Sequence, residues 1–349
     1  MTLDRLVALS LLPSGRSTDL PARLRAGDPT LHDESTRQLQ AAKDALARAA
    51  ASGICAVSWD DPRYPSRLLT IADHPLVLWY RGRLEACEQP AVAIVGSRAA
   101  SPVALEVAAT LASDLARRGI TIVSGLARGV DGAAHRGALS TGVTVGVLGC
   151  GVDVVYPQSH RALASAVVER GALVSEFTPG TLPLPHHFPV RNRIISGLSH
   201  AVVIVEAAEQ SGSLITARLA LDQGRDVMAV PGSVAQGRNR GAHALIRDGA
   251  PIVESAADVL RELGWSAEVA SKSGTSGTGT TCVFPVVSSD PLLNVMPTGE
   301  ACSLDWLAGA IREPAPAVLA RLLELELTGD VVRAGGGCFM RAAGTCYRN

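Results

Sequence analysis

Five segments of the chain place glycine, hydroxyl, aromatic or arginine residues directly after a short apolar run. In chain order they supply Gly96, Ser97, Arg98 and Ser101; Gly125, Arg128 and Gly129; His187, Phe188, Arg191, Asn192 and Arg193; Ser211, Gly212, Ser213 and Thr216; and Arg238. Glycine lets a backbone approach a ligand, N–H groups at a helix start attract anions, and arginine binds phosphate through two hydrogen bonds. The residue types therefore predict a phosphate-binding surface.

Each segment taken alone has a plainer explanation, because glycine and serine are common where a strand turns into a helix. The joint pattern is more specific. Arg98, Arg128, Arg191, Arg193 and Arg238 would converge on one rim, although the net charge is only -1. We therefore favour an extended, phosphate-rich ligand. The Phe188 ring could stack a base there, or it could belong to the core.

Several enzyme classes lack their motifs in this sequence. No G-x-G-x-x-G follows the first parallel strand, and no Walker-type phosphate loop or G-x-S-x-G serine turn is present. Glu206 and Glu209 could hold a metal, but we expect structural roles: Asp131 as a helix cap and Glu206 as a brace for arginines. The prediction is a protein without catalytic residues, cofactor or metal.

The elements that position these segments alternate regularly between strand and helix. Apolar runs at 91–95, 121–124, 144–148, 172–175, 201–205, 226–230 and 251–253 are the predicted strands. Strands that are apolar on both faces are typical of a parallel sheet covered by helices. The predicted fold class is α/β, an extended Rossmann-like doubly wound parallel sheet. In such a sheet the loops that follow the strands share one edge.

Composition agrees with a cytoplasmic protein. The seven cysteines show no C-x-x-C spacing, so neither a zinc site nor a disulfide framework is indicated. No apolar run approaches the roughly 18–20 residues of a membrane span. The apolar residues 6–12 lack the flanks of a signal peptide, since Asp4 and Arg5 precede them and Pro13 follows. No membrane partner is expected.

Four segments follow from the changes in pattern along the chain. Residues 1–52 are predicted to form a small helical module that is SAM-like or helix-hairpin-helix-like, and 53–265 form the Rossmann-like domain. Residues 266–297 contain the Ser/Gly/Thr-rich run 271–281 and are predicted to be a flexible linker. Residues 298–349 have the helix, helix, hairpin plan of a winged helix. The second of these helices carries Arg321 against Glu324 and Glu326, which favours protein docking over DNA.

The loop sequences together resemble the DNA-processing protein A family, known as DprA/Smf. The resemblance is carried by 95–101, 124–131 with His135, 151–157, 188–196, 211–216 and 230–232, and it extends from about Ile54 to Leu263. The order Phe-Pro-x-Arg-Asn-Arg followed by Ser-Gly-Ser-x-x-Thr is its most specific feature.

The resemblance implies a homodimer that binds single-stranded DNA, protects it as it enters the cell and helps to load RecA recombinase during natural transformation. It also implies that Arg98 holds a phosphate and that Phe188 stacks a base. The residues implied to contact the DNA backbone are Ser211, Gly212, Ser213 and Thr216. A Rossmann-fold sensor or hydrolase of a nucleotide derivative is the alternative. Its usual Pro-Gly-Gly-x-Gly-Thr loop is replaced here by Pro231-Gly232-Ser233.

Overall fold

The computed structural model describes residues 2–11, 23–24, 26, 36–234, 237–265, 292, 295–296, 301–311, 313–328, 331–334 and 338–341. The chain divides into two compact units, residues 1–273 and 274–349. Among the helices of the described residues, none combines the length and the apolar character that a membrane span requires.

The first unit is built on one eight-stranded sheet. Its strands are β1 (Cys55–Ser58), β2 (Val77–Gly82), β3 (Ala91–Gly96), β4 (Thr121–Ser124), β5 (Thr144–Val147), β6 (Ala172–Ser175), β7 (Ala201–Val205) and β8 (Asp226–Ala229). Their spatial order is β1-β2-β6-β5-β4-β3-β7-β8. Strands β3 to β8 are parallel, whereas β2 pairs antiparallel with β6 and β1 with β2. The predicted Rossmann-like sheet is confirmed, and the segment before it adds two antiparallel strands.

Nine α-helices of the described residues belong to this unit. They are α1 (Leu3–Ser10), α2 (Thr36–Ala51), α3 (Pro102–Arg117), α4 (Val130–Thr141), α5 (Arg161–Arg170), α6 (His187–Gly197), α7 (Ser213–Asp222), α8 (Arg240–Arg247) and α9 (Ala256–Glu262). Ser101 caps α3, since its side chain accepts from the Ala104 N–H, and Pro102 is the first helical residue.

Helices cover both faces of the sheet because successive strand residues point to opposite sides. Val92 and Ile94 of β3 pack with α3, α4 and α9, whereas Ala93 and Val95 pack with α6, α7 and α8. The run 251–253 differs from the prediction: it makes only an isolated bridge from Ile252 to Ala229 instead of a strand.

The N-terminal helices α1 and α2 pack against the antiparallel end of the sheet. Leu6, Leu9 and Ala42 share one buried cluster with Trp79 of β2 and Val152. Within the described residues these helices therefore belong to the first compact unit. Residues 12–22, 25 and 27–35 of the predicted N-terminal module lie outside the described residues.

The second unit has the arrangement of a winged helix. It contains β9 (Ala301–Ser303), α10 (Leu304–Ile311), α11 (Ala315–Thr328), β10 (Val331–Ala334) and β11 (Cys338–Arg341), with strand order β10-β11-β9. Leu307, Val318, Leu322 and Phe339 form its core. Strand β9 is an addition to the predicted plan. The glycine turn 335–337 and almost all of the predicted linker 266–297 lie outside the described residues.

Candidate functional site

A cleft opens at the point where the sheet changes its winding direction. Strand β3 pairs with β4 on one side and with β7 on the other, so the chain leaves β3 and β7 in opposite directions. The cleft, which we call the switch-point cleft, has a volume of about 670 Å³. Its lining comprises Val95, Gly96, Ser97, Arg98, Ala127, Asp131, Tyr156, Pro185, Phe188, Pro189, Arg191, Asn192, Ile195, Ala208, Gln210, Ser211, Gly212, Ser213, Ile215 and Thr216.

Ten of the sixteen residues predicted as a site therefore meet in one cleft: Gly96, Ser97, Arg98, Phe188, Arg191, Asn192, Ser211, Gly212, Ser213 and Thr216. The first turns of α4, α6 and α7 contribute Asp131, Phe188 and Ser213 to it. Helix N-termini carry partial positive charge, which favours anions. The charged lining residues are Arg98, Arg191 and Asp131, so positive charge exceeds negative. The arrangement suits a phosphate-bearing ligand.

The loop that carries Arg98 is held by Glu206, at the end of β7. The Ser97 N–H donates to the Glu206 carbonyl oxygen over 2.8 Å. The Glu206 carboxylate accepts from the Ser101 N–H over 3.0 Å and from the Ser101 hydroxyl over 2.5 Å. Gly129 lies directly against the same loop. Its φ is +76° and a Cβ there would overlap the Ser97 carbonyl oxygen, so this close approach requires glycine. The exposed Arg98 thus stands on a fixed loop.

The floor of the cleft is a buried ion pair. Arg191 has an exposed fraction of 4%, donates to the Val147 carbonyl oxygen over 2.5 Å and lies 4.0 Å from Asp131 Oδ2. A Cβ on Gly125 would fall inside the Arg191 guanidinium, so glycine makes room for it. Asp131 also accepts from the Gly125 N–H over 3.1 Å. The pair fixes the loop after β4 to α6.

Burial shifts both members of this pair. Burial lowers the pKa of Arg191 to about 10, against the opposing effect of Asp131. Burial likewise raises the pKa of Asp131, and the Arg191 charge opposes that rise. Asp131 lies in the first turn of α4, whose N-cap is Gly129, so it is not the helix cap that the sequence suggested.

Of the five arginines predicted to converge on one rim, Arg98 and Arg191 line the cleft and the other three do not. Arg193 forms ion pairs with Glu176 over 2.8 Å and with Asp73 over 3.0 Å, away from the cleft lining. Residues 187–197 form a helix rather than the expected loop, and side chains two positions apart on a helix point to different sides.

The remaining two arginines also lie elsewhere. Arg128 is exposed and does not line the cleft. Arg238 lines a neighbouring cavity of about 660 Å³, where it donates to the Ala99 carbonyl oxygen over 2.9 Å. Its Nη1 is 3.9 Å from the Glu206 carboxylate, in line with the predicted brace, and the same carboxylate also accepts two hydrogen bonds from Ser101.

The other predicted residues support the cleft without lining it. His187 is buried, and its ring stacks on Phe177 at a centroid distance of 4.1 Å. Ser101 lines the neighbouring cavity, while Gly125 and Gly129 make the close approaches to Arg191 and Ser97. Glycine and serine after the strands therefore indicated the loops that form the cleft. These residue types did not distinguish the residues that line the cleft from the residues that support it.

Phe188 stands between Arg98 and an aromatic residue that the sequence did not single out. The Arg98 guanidinium carbon lies 5.2 Å from the Phe188 ring centroid, and the Tyr156 ring centroid lies 5.5 Å from it. Tyr156 and Gln210 also line the cleft. Tyr156 could have been noticed because aromatic residues are only 3% of the chain and it follows β5 at the ligand edge.

Fold and cleft together place the chain among Rossmann-like proteins whose ligand site lies at the switch point of the sheet. Residues 55–264 match the family described as DNA recombination-mediator protein A, and residues 289–337 match the DprA winged helix domain. The first match covers more than half of the chain. The protein belongs to the DNA recombination-mediator protein A family, as the loop sequences predicted.

Individual relatives agree with this assignment. Protein Smf of Escherichia coli K12 is 41% identical over 294 residues, which are 82% of this chain and 77% of that protein. The X-ray structure of DprA from Streptococcus pneumoniae superposes with a TM-score of 0.65 at 36% identity, covering 75% of this chain and 98% of that one. A structure of Helicobacter pylori DprA, described for its single-stranded DNA binding mode, gives a TM-score of 0.54 at 28% identity and covers 60% and 95%.

Proposed function

We propose that this protein binds single-stranded DNA in the switch-point cleft and acts as a recombination mediator without chemical turnover. In this role it protects incoming single strands and helps to load RecA during natural transformation, in the cytoplasm and as a homodimer. Family membership supports the proposal, as does the single-stranded DNA binding mode described for the Helicobacter pylori relative.

The observation that carries the proposal is the exposed Arg98 beside the first turns of α6 and α7. Around it the cleft offers hydroxyl and amide groups for phosphate and sugar oxygens, from Ser97, Asn192, Ser211, Ser213 and Thr216. Gly212 leaves the backbone open next to them, whereas Gly96 is required by packing, since a Cβ there would lie 1.8 Å from the Val205 carbonyl oxygen. Arg191 acts from the floor as a fixed positive charge, because it is buried and hydrogen-bonded to the protein.

Arg98→Ala is expected to weaken binding of oligo-dT and of mixed-sequence single strands by the same factor, about five- to tenfold, or ~1–1.4 kcal/mol. A phosphate contact carries no sequence information. Loss of one contact should also reduce the slope of log affinity against log salt by about 0.7. Fluorescence anisotropy titrations with single-stranded and duplex DNA over a range of salt concentrations measure both effects.

Arg117→Ala is the matched control for this variant. It removes the same charge from the last turn of α3, at the opposite end of the helix that begins beside the cleft, where Arg117 pairs with Asp114. Equal loss of affinity in both variants would mean that net charge, rather than the cleft, determines binding. Tight calorimetric binding of a mononucleotide, with no gain for a long oligonucleotide, would favour the nucleotide-sensor alternative.

The assembly part of the proposal has its own measurements. Light scattering of the full chain should give the mass of a dimer. RecA filament growth on the bound oligonucleotide should begin earlier when the protein is present than when it is absent. A monomeric mass would contradict the proposed homodimer, and unchanged filament kinetics would contradict RecA loading. Neither result would contradict the proposed binding of single-stranded DNA.

A further inference from the structure

The neighbouring cavity of about 660 Å³, which we call the α3 cavity, shares one loop with the switch-point cleft. Ser97 and Arg98 of this loop line the cleft, whereas Ala99, Ala100 and Ser101 line the cavity. The first two turns of α3 and the segment that follows β8 provide the other walls. A cavity of this volume is large enough to hold a small organic molecule.

Much of the wall of the α3 cavity is apolar. Val103 and Val107 contribute from α3, while Val230 and Pro231 contribute from the segment after β8. Val103 is 68% exposed, and Pro231 is exposed as well. A ligand with an apolar body would remove this surface from water, which would stabilise the complex.

The polar side chains of the cavity favour a carboxylate as the other part of the ligand. The Glu206 side chain is 5% exposed, and its carboxylate already accepts two hydrogen bonds from Ser101. The Arg238 side chain is 48% exposed, so its guanidinium is within reach of a ligand. Helix α3 begins at the cavity and adds the partial positive charge of its N-terminus. A guanidinium binds a carboxylate through two parallel hydrogen bonds.

The polar residues of the cavity also hold the loop that positions Arg98. Arg238 Nη1 donates to the carbonyl oxygen of Ala99, the residue after Arg98, over 2.9 Å. The Glu206 carbonyl oxygen accepts from the Ser97 N–H over 2.8 Å, and the Glu206 carboxylate holds the end of the loop that lines the cavity. A ligand carboxylate that binds Arg238 would draw its guanidinium away from Ala99. The Arg98 loop would then lose one of its supports.

We infer that the α3 cavity is an effector site for a small monocarboxylate with an apolar or aromatic body, and that its occupation weakens strand binding in the switch-point cleft. The site stands without the proposed function, and only its effect on strand binding rests on that function. Because the coupling between two binding sites is reciprocal, a bound strand must weaken binding of the carboxylate by the same factor.

Calorimetric titration compares naphthoate with the corresponding naphthylmethanol, which has the same rings and no charge. Naphthoate is expected to bind with a Kd of about 1 mM or below, and the alcohol about tenfold more weakly, because it cannot form the two hydrogen bonds with Arg238. Arg238→Met should remove this preference. Val103→Asp, at an exposed position, should weaken naphthoate binding by placing a negative charge beside the ligand. Arg240→Met is the matched control, since Arg240 is exposed, does not line the cavity and should leave the preference unchanged.

A second measurement repeats the oligo-dT titration at saturating naphthoate and constant ionic strength. The affinity for oligo-dT is expected to fall about three- to tenfold in the unsubstituted chain and in Arg240→Met, and to stay constant in Arg238→Met. Equal binding of naphthoate and the alcohol, or a preference that survives Arg238→Met, would overturn the site. Naphthoate binding that leaves the oligo-dT affinity unchanged would overturn the coupling. A chain that binds naphthoate as expected but binds no oligo-dT would contradict the proposed function alone.

Discussion

Asp131→Ala is expected to lower the free energy of unfolding of the first unit by about 3–5 kcal/mol. The substitution leaves the Arg191 guanidinium, with an exposed fraction of 4%, as a buried charge without its counterion. It also removes the acceptor of the Gly125 N–H on the loop after β4. Urea unfolding followed by far-ultraviolet circular dichroism gives the change.

A double-mutant cycle isolates the charge from the rest of the side chain. Arg191→Met removes the guanidinium and keeps a long apolar stem, so Asp131→Ala/Arg191→Met should be more stable than the sum of the single effects allows, by about 1–3 kcal/mol. Strictly additive effects would show that the two groups, 4.0 Å apart, do not stabilise each other.

Acidification from pH 7.5 to pH 5 is expected to cost about 2 kcal/mol of unfolding free energy through His135 alone. Burial lowers the pKa of His135 from 6.5 to about 3. Above pH 6.5 the ring is neutral in both states, and its contribution to stability is fully present. Below that value the unfolded chain binds a proton that the folded chain excludes, so stability declines until the pH approaches 3.

The reason for this exclusion is the surroundings of His135. Its Nε2 accepts from the Leu126 N–H over 3.3 Å, so the Nδ1 must donate to the Thr144 hydroxyl over 2.7 Å, whose own hydrogen goes to the Ile122 carbonyl oxygen. The ring has no place for a second proton. Arg191 adds an unfavourable positive charge.

Unfolding midpoints measured from pH 7.5 to pH 5 in parallel for the unsubstituted chain and for His135→Gln test this account. The variant should show a shallower decline with falling pH, whatever its stability at pH 7.5. His186→Gln changes an exposed histidine and should leave the decline as it is. The raised pKa of Asp131 acts in the opposite direction, which is why the difference between variants is the measured quantity. Parallel curves for His135→Gln and the unsubstituted chain would contradict the prediction.

The sheet was predictable because its strands are continuous apolar runs. A strand that is apolar on both faces is typical of a parallel sheet with helices packed on each side. Six of the seven predicted strands formed, and the loops marked by glycine and serine after β3 and β7 line the switch-point cleft. The exception, 251–253, is too short to gain more than one bridge from its neighbour β8.

Side-chain direction was the part that sequence could not supply. Arg191 and Arg193 look equivalent in Phe-Pro-x-Arg-Asn-Arg, yet the helix that begins at His187 turns one to the cleft floor and the other to Glu176. Which carboxylate each arginine meets depends on Asp73, Asp131 and Glu176, and these come from three separate segments of the chain. Such pairings are set by tertiary packing and leave no local signal.

The central place of β3 has a consequence for the order in which the protein can mature on the ribosome. β3 pairs with β7, which is synthesised about a hundred residues later, in a register that joins Val92 to Ala201. Until α7 has emerged, the nascent chain has the Arg98 loop but no opposing wall, so it has no cleft. The cleft is therefore completed only late in synthesis.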